Sequence, residues 1–242
     1  MTVVTRQEDV ARWVADFAHD LFERLDVLAA RLADDVSRDA PRRADLRLEQ
    51  LCRSMLTDPT VPVAGAGAVM APGVLADAPY WLEWWVVDGA SRPTVSKLAA
   101  ETDTRAIGFR DYTELPWYSR PFESGERHIT GPYVDYVCTD QYTLTFTQPV
   151  HVAGEFVGIV GADVLVAWFE EHLLEVLDGI EPPCLVVNAS GRIVTSSDPA
   201  WVTGDLVRGL PLARWLAGDD APDAPWRATR CDDLPFFAIS RR

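Results

Sequence analysis

The sequence has few basic residues and no long apolar segment. Its 242 residues include 22 Lys and Arg against 37 Asp and Glu, a formal net charge of −15. Nucleic acids and anionic membrane surfaces attract positively charged proteins, so this excess of acidic residues argues against both as partners. No apolar run reaches about 18 residues, the length of a candidate membrane span. The start of the chain, MTVVTRQEDVARW, lacks the basic and apolar segments of a secretory signal, so we expect a soluble, cytoplasmic protein without membrane insertion.

Sequence motifs for metal binding and catalysis are also missing. The cysteines stand too far apart for a CxxC pair and are expected to be buried free thiols: Cys52, Cys138, Cys184 and Cys231. The histidines are equally scattered, at His19, His128, His151 and His172. There is no GxSxG, P-loop or HExxH motif. We therefore expect no metal site, no cofactor and no catalytic residues, although a Ser-His-Asp triad assembled from distant residues is compatible with the sequence.

Tyrosine is confined to one segment of the chain. All six tyrosines lie between Tyr80 and Tyr142, together with four of the nine tryptophans. A core packed from so many tyrosines would have to satisfy many buried hydroxyl groups. We therefore interpret this segment as a ligand pocket rather than a plain core, and we count Trp84, Asp111 and Tyr142 among its candidate ligand-binding residues.

Apolar residues recur every three or four positions from residue 7 to about 39, which predicts one long helix. The apolar stripe consists of Val10, Val14, Phe17, Leu21, Leu25, Leu28 and Leu32. Such a helix is longer than a compact domain needs, so it either runs along two modules or pairs with a second copy of the chain. We expect a homodimer formed through it. Pro41 ends the helix, and a shorter one follows around residues 48–56.

The rest of the pattern predicts an α+β fold with antiparallel sheets. Strands are expected at 63–75, 80–87, 129–137, 142–150, 155–163, 184–188, 192–196, 226–231 and 234–239. Short helices are expected at 94–101, 165–177 and 206–216, and a segment of loop and helix at 111–118. Along the strand at 142–150, threonines alternate with larger residues, so the threonines share one face. The expected parts are two helices (1–60), a larger sheet module (61–178) and a smaller one (179–242).

Three short segments, in this order and spacing, resemble a Cache (PDC-type) sensor domain. They are DYTELPWY at 111–118, GPYVD at 131–135 and GIVGADV at 158–164. With the long first helix and two PAS-like modules, the chain is similar to the double Cache arrangement, and the resemblance covers nearly all of it. Double Cache domains usually lie outside the membrane in chemoreceptors and histidine kinases. The resemblance therefore implies a non-catalytic sensor of small molecules.

The resemblance also implies where a ligand binds. In the amino-acid-sensing and amine-sensing branches, a Trp–aromatic pair, a tyrosine on the next strand and an aspartate at the end of the last strand hold the ligand ammonium. Carried over by motif, these residues are Trp117, Tyr118, Tyr133 and Asp163, with Asp135 close by. The amino-acid branch also has an arginine two positions before the tryptophan, where this chain has Leu115. This departure favours a small organic amine, or an amino-acid-like molecule, as the ligand.

Each of these residues also has a structural interpretation. Asp163 suits the N-cap of the helix predicted to follow it, because aspartate is a favoured capping residue. Trp117 suits the core of the module. Tyr133 suits a cross-strand aromatic pair, and Asp135 suits a solvated strand position.

The ligand chemistry and the function have alternatives as well. Arg110 or Arg127 would allow a carboxylate sensor in place of an amine sensor. A different class of protein, an enzyme acting on a small metabolite, is also compatible with the sequence, as is a dimerisation module without a ligand. A sensor of this kind is expected to act on a separate signalling or regulatory protein.

Overall fold

The computed structural model describes residues 6–60, 62–88, 94–135, 141–177 and 180–242. Its α-helices are α1 Gln7–Val36, α2 Glu49–Thr57, α3 Pro116–Ser124, α4 Val166–Leu177 and α5 Leu212–Leu216. Its strands are β1 Val63–Met70, β2 Leu82–Asp88, β3 Thr94–Lys97, β4 His128–Val134, β5 Tyr142–Val152, β6 Glu155–Leu165, β7 Cys184–Asn188, β8 Ile193–Ser196, β9 Trp226–Arg230 and β10 Phe236–Arg241. The predicted α+β class with antiparallel sheets is confirmed.

Helix α1 carries the predicted apolar stripe and ends at Val36, slightly before its expected end. The stripe residues Val10, Val14, Leu25 and Leu32 are each 0% exposed. Nearly all of the stripe is thus covered within a single chain, and Phe17 is its one partly exposed member. The homodimer remains a prediction, but an uncovered apolar stripe on α1 can no longer be given as the reason for it.

The larger sheet has the strand order β3-β2-β1-β6-β5-β4. Strands β1, β2, β3, β5 and β6 pair with their neighbours in antiparallel fashion. Helices cover one face: α2 packs against β1 and β2, and Phe22 of α1 meets Phe146 of β5 edge-on, with ring centroids 5.5 Å apart. The opposite face, which we call the site face, carries the side chains of Trp84, Thr145 and Asp163.

The prediction of a helix at 94–101 is wrong, because residues Thr94–Lys97 form strand β3 and pair with β2. The Nζ atom of Lys97 lies 2.8 Å from both carboxylate oxygens of the buried Glu83. It also lies 5.0 Å from the centroid of the Trp81 ring. These contacts with residues distant in sequence outweigh the helical preference of the local sequence.

The smaller sheet has the order β8-β7-β10-β9. The first turn of α1 is tied to it, because Gln7 Nε2 donates to Ala238 O at 2.8 Å and Ser240 Oγ donates to Gln7 Oε1 at 2.6 Å. Helix α5 is shorter than the helix predicted at 206–216. Gly209 adopts a positive φ of 76°, and Pro211 stands at the N-cap, so the helix begins only after them.

The contacts divide the chain into two compact units. The larger unit comprises Leu21–Thr130 and Val134–Leu165, and the smaller comprises Met1–Asp20, Gly131–Tyr133 and Val166–Arg242. This division splits α1 between the two units. The predicted division into three consecutive ranges, 1–60, 61–178 and 179–242, remains a prediction.

Two predictions fall partly beyond the described residues. Strand β4 ends at Val134, and the last positions of the strand predicted at 129–137 lie outside the described ranges, as does Cys138. The other three cysteines, Cys52, Cys184 and Cys231, are free and buried, as predicted.

Candidate functional site

The site face takes its polar character from the register of four strands. Asp163 of β6 stands opposite Gly65 of β1 and Thr145 of β5, and Gly67 of β1 stands opposite Trp84 of β2. Directly paired residues in an antiparallel sheet project from the same face. The groups that these strands place beside the glycines include the carboxylate of Asp163, the hydroxyl of Thr145 and the indole of Trp84.

Asp163 is the centre of this arrangement. It is 3% exposed, and its Oδ1 accepts a hydrogen bond of 2.7 Å from Thr145 Oγ1. Burial, followed by the negative charge of the nearby Asp135, raises the pKa of Asp163 to about 7, against the smaller opposing effects of the Thr145 hydroxyl and the Trp84 indole. The carboxylate therefore changes charge near neutral pH. Asp163 also lies inside β6, where it pairs with β1 on one side and β5 on the other, and this position argues against the helix-capping role.

The indole of Trp84 fills the strip above the glycines. A Cβ atom at Gly67 would lie 2.9 Å from Trp84 Cε3, and one at Gly161 would lie 3.2 Å from Trp84 Cη2. The indole thus occupies the space that the missing side chain of Gly161 leaves above the strand. Only residues without a Cβ let the ring lie this close to the sheet.

The indole N–H of Trp84 is an unused donor. Trp84 is 5% exposed, and its Nε1 atom has no hydrogen-bond acceptor among the residues that the structure describes. A Cβ atom at Gly65 would lie 2.8 Å from this Nε1 atom and equally 2.8 Å from Asp163 Oδ2. The indole lies near enough to lower the pKa of Asp163, but the two groups do not meet with the geometry of a hydrogen bond.

Three aromatic residues from the 112–118 segment cover the site face. Tyr118 is buried and packs in one apolar cluster with Trp84, joined by the half-buried Trp117. Tyr112 is buried beside them, and its hydroxyl donates to Met70 O at 2.8 Å, so it anchors the segment to β1. The structure thus brings Trp84, Trp117 and Tyr118 together on the face that carries Asp163.

Two acidic candidates and two tyrosines have different positions. Asp135 is buried just after β4, and its charge acts on Asp163. Asp111 is exposed, and its carboxylate caps the turn at Tyr112–Glu114 by accepting from Thr113 N. Tyr142 is 46% exposed at the start of β5. Tyr133 is half-buried on β4, and its ligand role remains a prediction.

The two arginines considered for a carboxylate ligand do not share one environment. The guanidinium of Arg127 lies 2.7 Å from Asp26 of α1, also donates to Gln148, and stacks over Phe22, 5.1 Å from the ring centroid. The Arg127 guanidinium is therefore already bound by partners that include Asp26 and Phe22 of α1. Arg110 is exposed in the loop before the Tyr112–Glu114 turn.

Thr145 and Gly65 contribute to the site although neither was predicted to belong to it. The alternation along β5 placed the threonines on one face, and that signal could have identified Thr145 as a neighbour of the last strand. Gly65 was not among the predicted site residues. Its role depends on register, because it stands opposite Asp163, and register cannot be read from one strand alone.

Two other polar features lie in the smaller unit. His19, described above as scattered, has its Nε2 atom 3.6 Å from Asp232 Oδ2 and 3.5 Å from Asp233 Oδ1, an exposed arrangement typical of a surface ion pair. A polar cleft of about 520 Å³ lies at the start of α1, with Arg6, Arg12, Glu181, Arg227 and Ser240 among its lining residues. The Ser240 hydroxyl is engaged with Gln7, so its buried polar atom is already satisfied.

Comparison with known proteins supports the fold. Residues 88–170 match the family model described as methyl-accepting chemotaxis protein-like, first PDC sensor domain. The ligand-binding domain of the Pseudomonas fluorescens chemoreceptor CtaA, solved with L-valine, is 16% identical with a TM-score of 0.59, over 96% of this chain and 91% of that one. The chain has a Cache (PDC-type) fold. No curated protein sequence is significantly similar to it.

Two further solved structures have the same fold. The ligand-binding domain of the Pseudomonas aeruginosa amino acid chemoreceptor PctC, solved with GABA, is 16% identical with a TM-score of 0.55, over 96% of this chain and 94% of that one. The extracellular domain of soHK1S-Z6, a protein assigned as a histidine kinase, is 15% identical with a TM-score of 0.60, over 98% of this chain and 92% of that one.

These comparisons correct the expected location. The prediction of a cytoplasmic protein is wrong, because the structures that share the Cache fold are domains of chemoreceptors and extracellular domains of kinases. The acidic, amphipathic start of the chain carried no information on this point. Within the described ranges, no helix is both long enough and apolar enough to cross a bilayer.

Proposed function

We propose that this chain is a non-catalytic sensor module that binds a small protonated amine on the site face of its larger sheet. The observation that carries the proposal is Asp163, a carboxylate that is 3% exposed and has no ion-pair partner among the described residues. An ionised carboxylate buried without a cation is costly. A ligand ammonium supplies the missing charge, and Thr145 already orients the carboxylate through Oδ1.

The aromatic residues of the site support a cationic ligand. Trp117 and Tyr118 lie on the same face as Asp163, and their π faces attract an ammonium group by about 0.5–2 kcal/mol each. Their near-perpendicular rings, 82° apart with centroids separated by 6.4 Å, form two walls of a corner. A carboxylate and aromatic rings on one face of a sheet are the combination of groups that recognises a small organic cation.

The ligands of the similar structures agree with this chemistry. CtaA was solved with L-valine and PctC with GABA, and both compounds carry a primary ammonium group. At 16% identity these similarities concern the fold, so the ammonium requirement in this chain rests on Asp163 itself. Leu115 in place of arginine, and the commitment of Arg127 to Asp26, weaken the case for a carboxylate ligand.

The test is ligand binding by the wild-type protein and by Asp163→Asn, which keeps the size of the side chain and removes its charge. A thermal-shift screen of amines, amino acids and organic acids identifies binders, because a ligand that binds the native state raises the melting temperature. We expect amines to bind, and Asp163→Asn to lose about 1.5–3 kcal/mol of affinity, the usual contribution of a hydrogen bond to a charged group.

The matched control is Asp103→Asn, which removes an exposed carboxylate from the same unit and should bind amines like wild type. Unchanged affinity in Asp163→Asn would refute the proposal. Binding of organic acids alone would favour the carboxylate alternative, and turnover of a bound compound would favour the enzyme. If no compound binds, the chain is better described as a module without a ligand.

A further inference from the structure

We infer that the ligand carries a neutral hydrogen-bond acceptor, such as a hydroxyl group, on the carbon next to its aminomethyl group, and that Trp84 Nε1 binds this acceptor. The inference rests on the proposed function, because it assumes that Asp163 holds the ligand ammonium. It adds a second point of recognition, on a residue outside the sequence segments that carry the Cache resemblance. It therefore narrows the ligand class from amines in general to amino alcohols and related compounds.

The first argument is the fixed position of the indole. Trp84 is held against the sheet by the absence of side chains at Gly67 and Gly161, whose Cβ atoms would approach its ring to 2.9 Å and 3.2 Å. A ring confined in this way cannot rotate its N–H toward another acceptor without leaving the strip. The packing of the ring against the sheet thus fixes the direction in which the Trp84 N–H points.

The second argument is the missing partner. Buried indole N–H groups are normally hydrogen-bonded, and a buried donor without an acceptor costs free energy. Among the described residues Trp84 Nε1 has no acceptor, although Asp163 Oδ2 faces the same small volume above Gly65. Both atoms lie 2.8 Å from the position that a Cβ atom of Gly65 would take, so they are at most twice that distance apart, a span that adjacent polar groups of one small molecule can bridge.

The third argument is the charge around this volume. Asp163 and Asp135 are both buried, and the charge of Asp135 acts on Asp163. A ligand carboxylate placed beside them would add a third negative charge, while Arg127 is bound to Asp26 and Leu115 is apolar. A neutral acceptor satisfies the indole without this repulsion.

The experiment compares two probes of the same shape. In 1-amino-2-propanol a hydroxyl group occupies the place of one methyl group of isobutylamine, and both compounds are protonated amines at neutral pH. Isothermal titration of the wild-type protein should show about tenfold tighter binding of 1-amino-2-propanol, the effect of one well-formed hydrogen bond. Trp84→Phe, which keeps an aromatic ring and removes the N–H, should abolish this preference, whatever change in overall amine affinity the smaller ring causes.

The outcomes separate this inference from the proposed function. Equal affinity of the wild-type protein for the two probes overturns the inference and leaves amine sensing intact, and this comparison needs no variant to fold. An equal loss for both probes in Trp84→Phe also overturns it, because the indole then acts through Asp163. Tighter binding of L-valine than of 1-amino-2-propanol would show a charged acceptor instead. If neither probe nor any other amine binds, the proposed function itself fails.

Discussion

The buried carboxylate of Asp163 should make the stability of the ligand-free protein depend on pH in an unusual direction. In the unfolded chain this group has its ordinary pKa of 3.8, whereas burial raises the pKa in the folded protein to about 7. Between these two values the folded protein holds a proton that the unfolded chain has released. Stability is therefore full below pH 3.8 and falls as the pH rises toward 7.

The size of this effect follows from the difference between the two pKa values. Each unit corresponds to about 1.36 kcal/mol, so the full loss is at most about 4 kcal/mol. Asp163→Asn does not titrate and escapes the loss. We therefore expect the stability of Asp163→Asn relative to wild type to increase from pH 4 to about pH 7 and to level off above it. Even a quarter of the full value would raise its melting temperature relative to wild type by about 2–4 °C in a chain of this size.

Thermal or urea unfolding at several pH values, without ligand, measures this difference. Asp103→Asn provides the control, because Arg105 lowers the pKa of Asp103 and that variant should gain nothing as the pH rises. If Asp163→Asn and wild type keep a constant difference from pH 4 to pH 8, Asp163 is not a titrating buried carboxylate. The reasoning about the ligand ammonium would then lose its electrostatic basis. An amine that binds the ionised form should restore stability to wild type above pH 7 but not to the variant.

Two further substitutions test the surroundings of the site. Thr145→Val removes the hydroxyl that stabilises the ionised Asp163, so amine binding should require a higher pH, and Thr145→Ser should restore the wild-type pH profile in calorimetric titrations. Arg127→Ala should cost at most about 1 kcal/mol of stability in urea unfolding, since its pair with Asp26 is largely exposed, and it should leave amine affinity unchanged. Loss of binding to an organic acid in Arg127→Ala would instead revive the carboxylate alternative.

Local sequence patterns predicted most of the elements, because their periodicity is imposed by burial. The stripe of α1 is an example, because nearly all of its residues are buried as expected. Strand β5 is different, since it is buried on both faces from Thr143 to Thr147 and its burial does not follow the alternation. Strand β3 was mistaken for a helix, since its identity depends on pairing with β2 and on the contact between Lys97 and Glu83. The secondary structure of such a short segment is set by the strand it pairs with rather than by its own propensity.

The candidate site was predictable in its residue types and not in its geometry. Asp163 and Trp117 came from short sequence segments that resemble a family, and burial of Asp163 gives that residue its unusual pKa. The position of Trp84 over the glycines depends on the register of three strands, which no single segment contains. Location could not be read from the composition, because charge and hydropathy describe a surface and not a compartment.

The glycine strip has a consequence for how this protein can evolve. A methyl group at Gly67 would come within 2.7 Å of the Trp84 Cα atom, and one at Gly65 would come within 2.8 Å of Asp163 Oδ2. Substitution of either glycine should therefore disturb the site, because an added atom meets the backbone of β2 at Gly67 and the carboxylate at Gly65. The opposing segment at 112–118 carries its aromatic residues on a turn and a short helix, where side chains can change size without disturbing strand register. New ligand preferences should consequently arise by variation in that segment, while the site face of the sheet stays nearly constant.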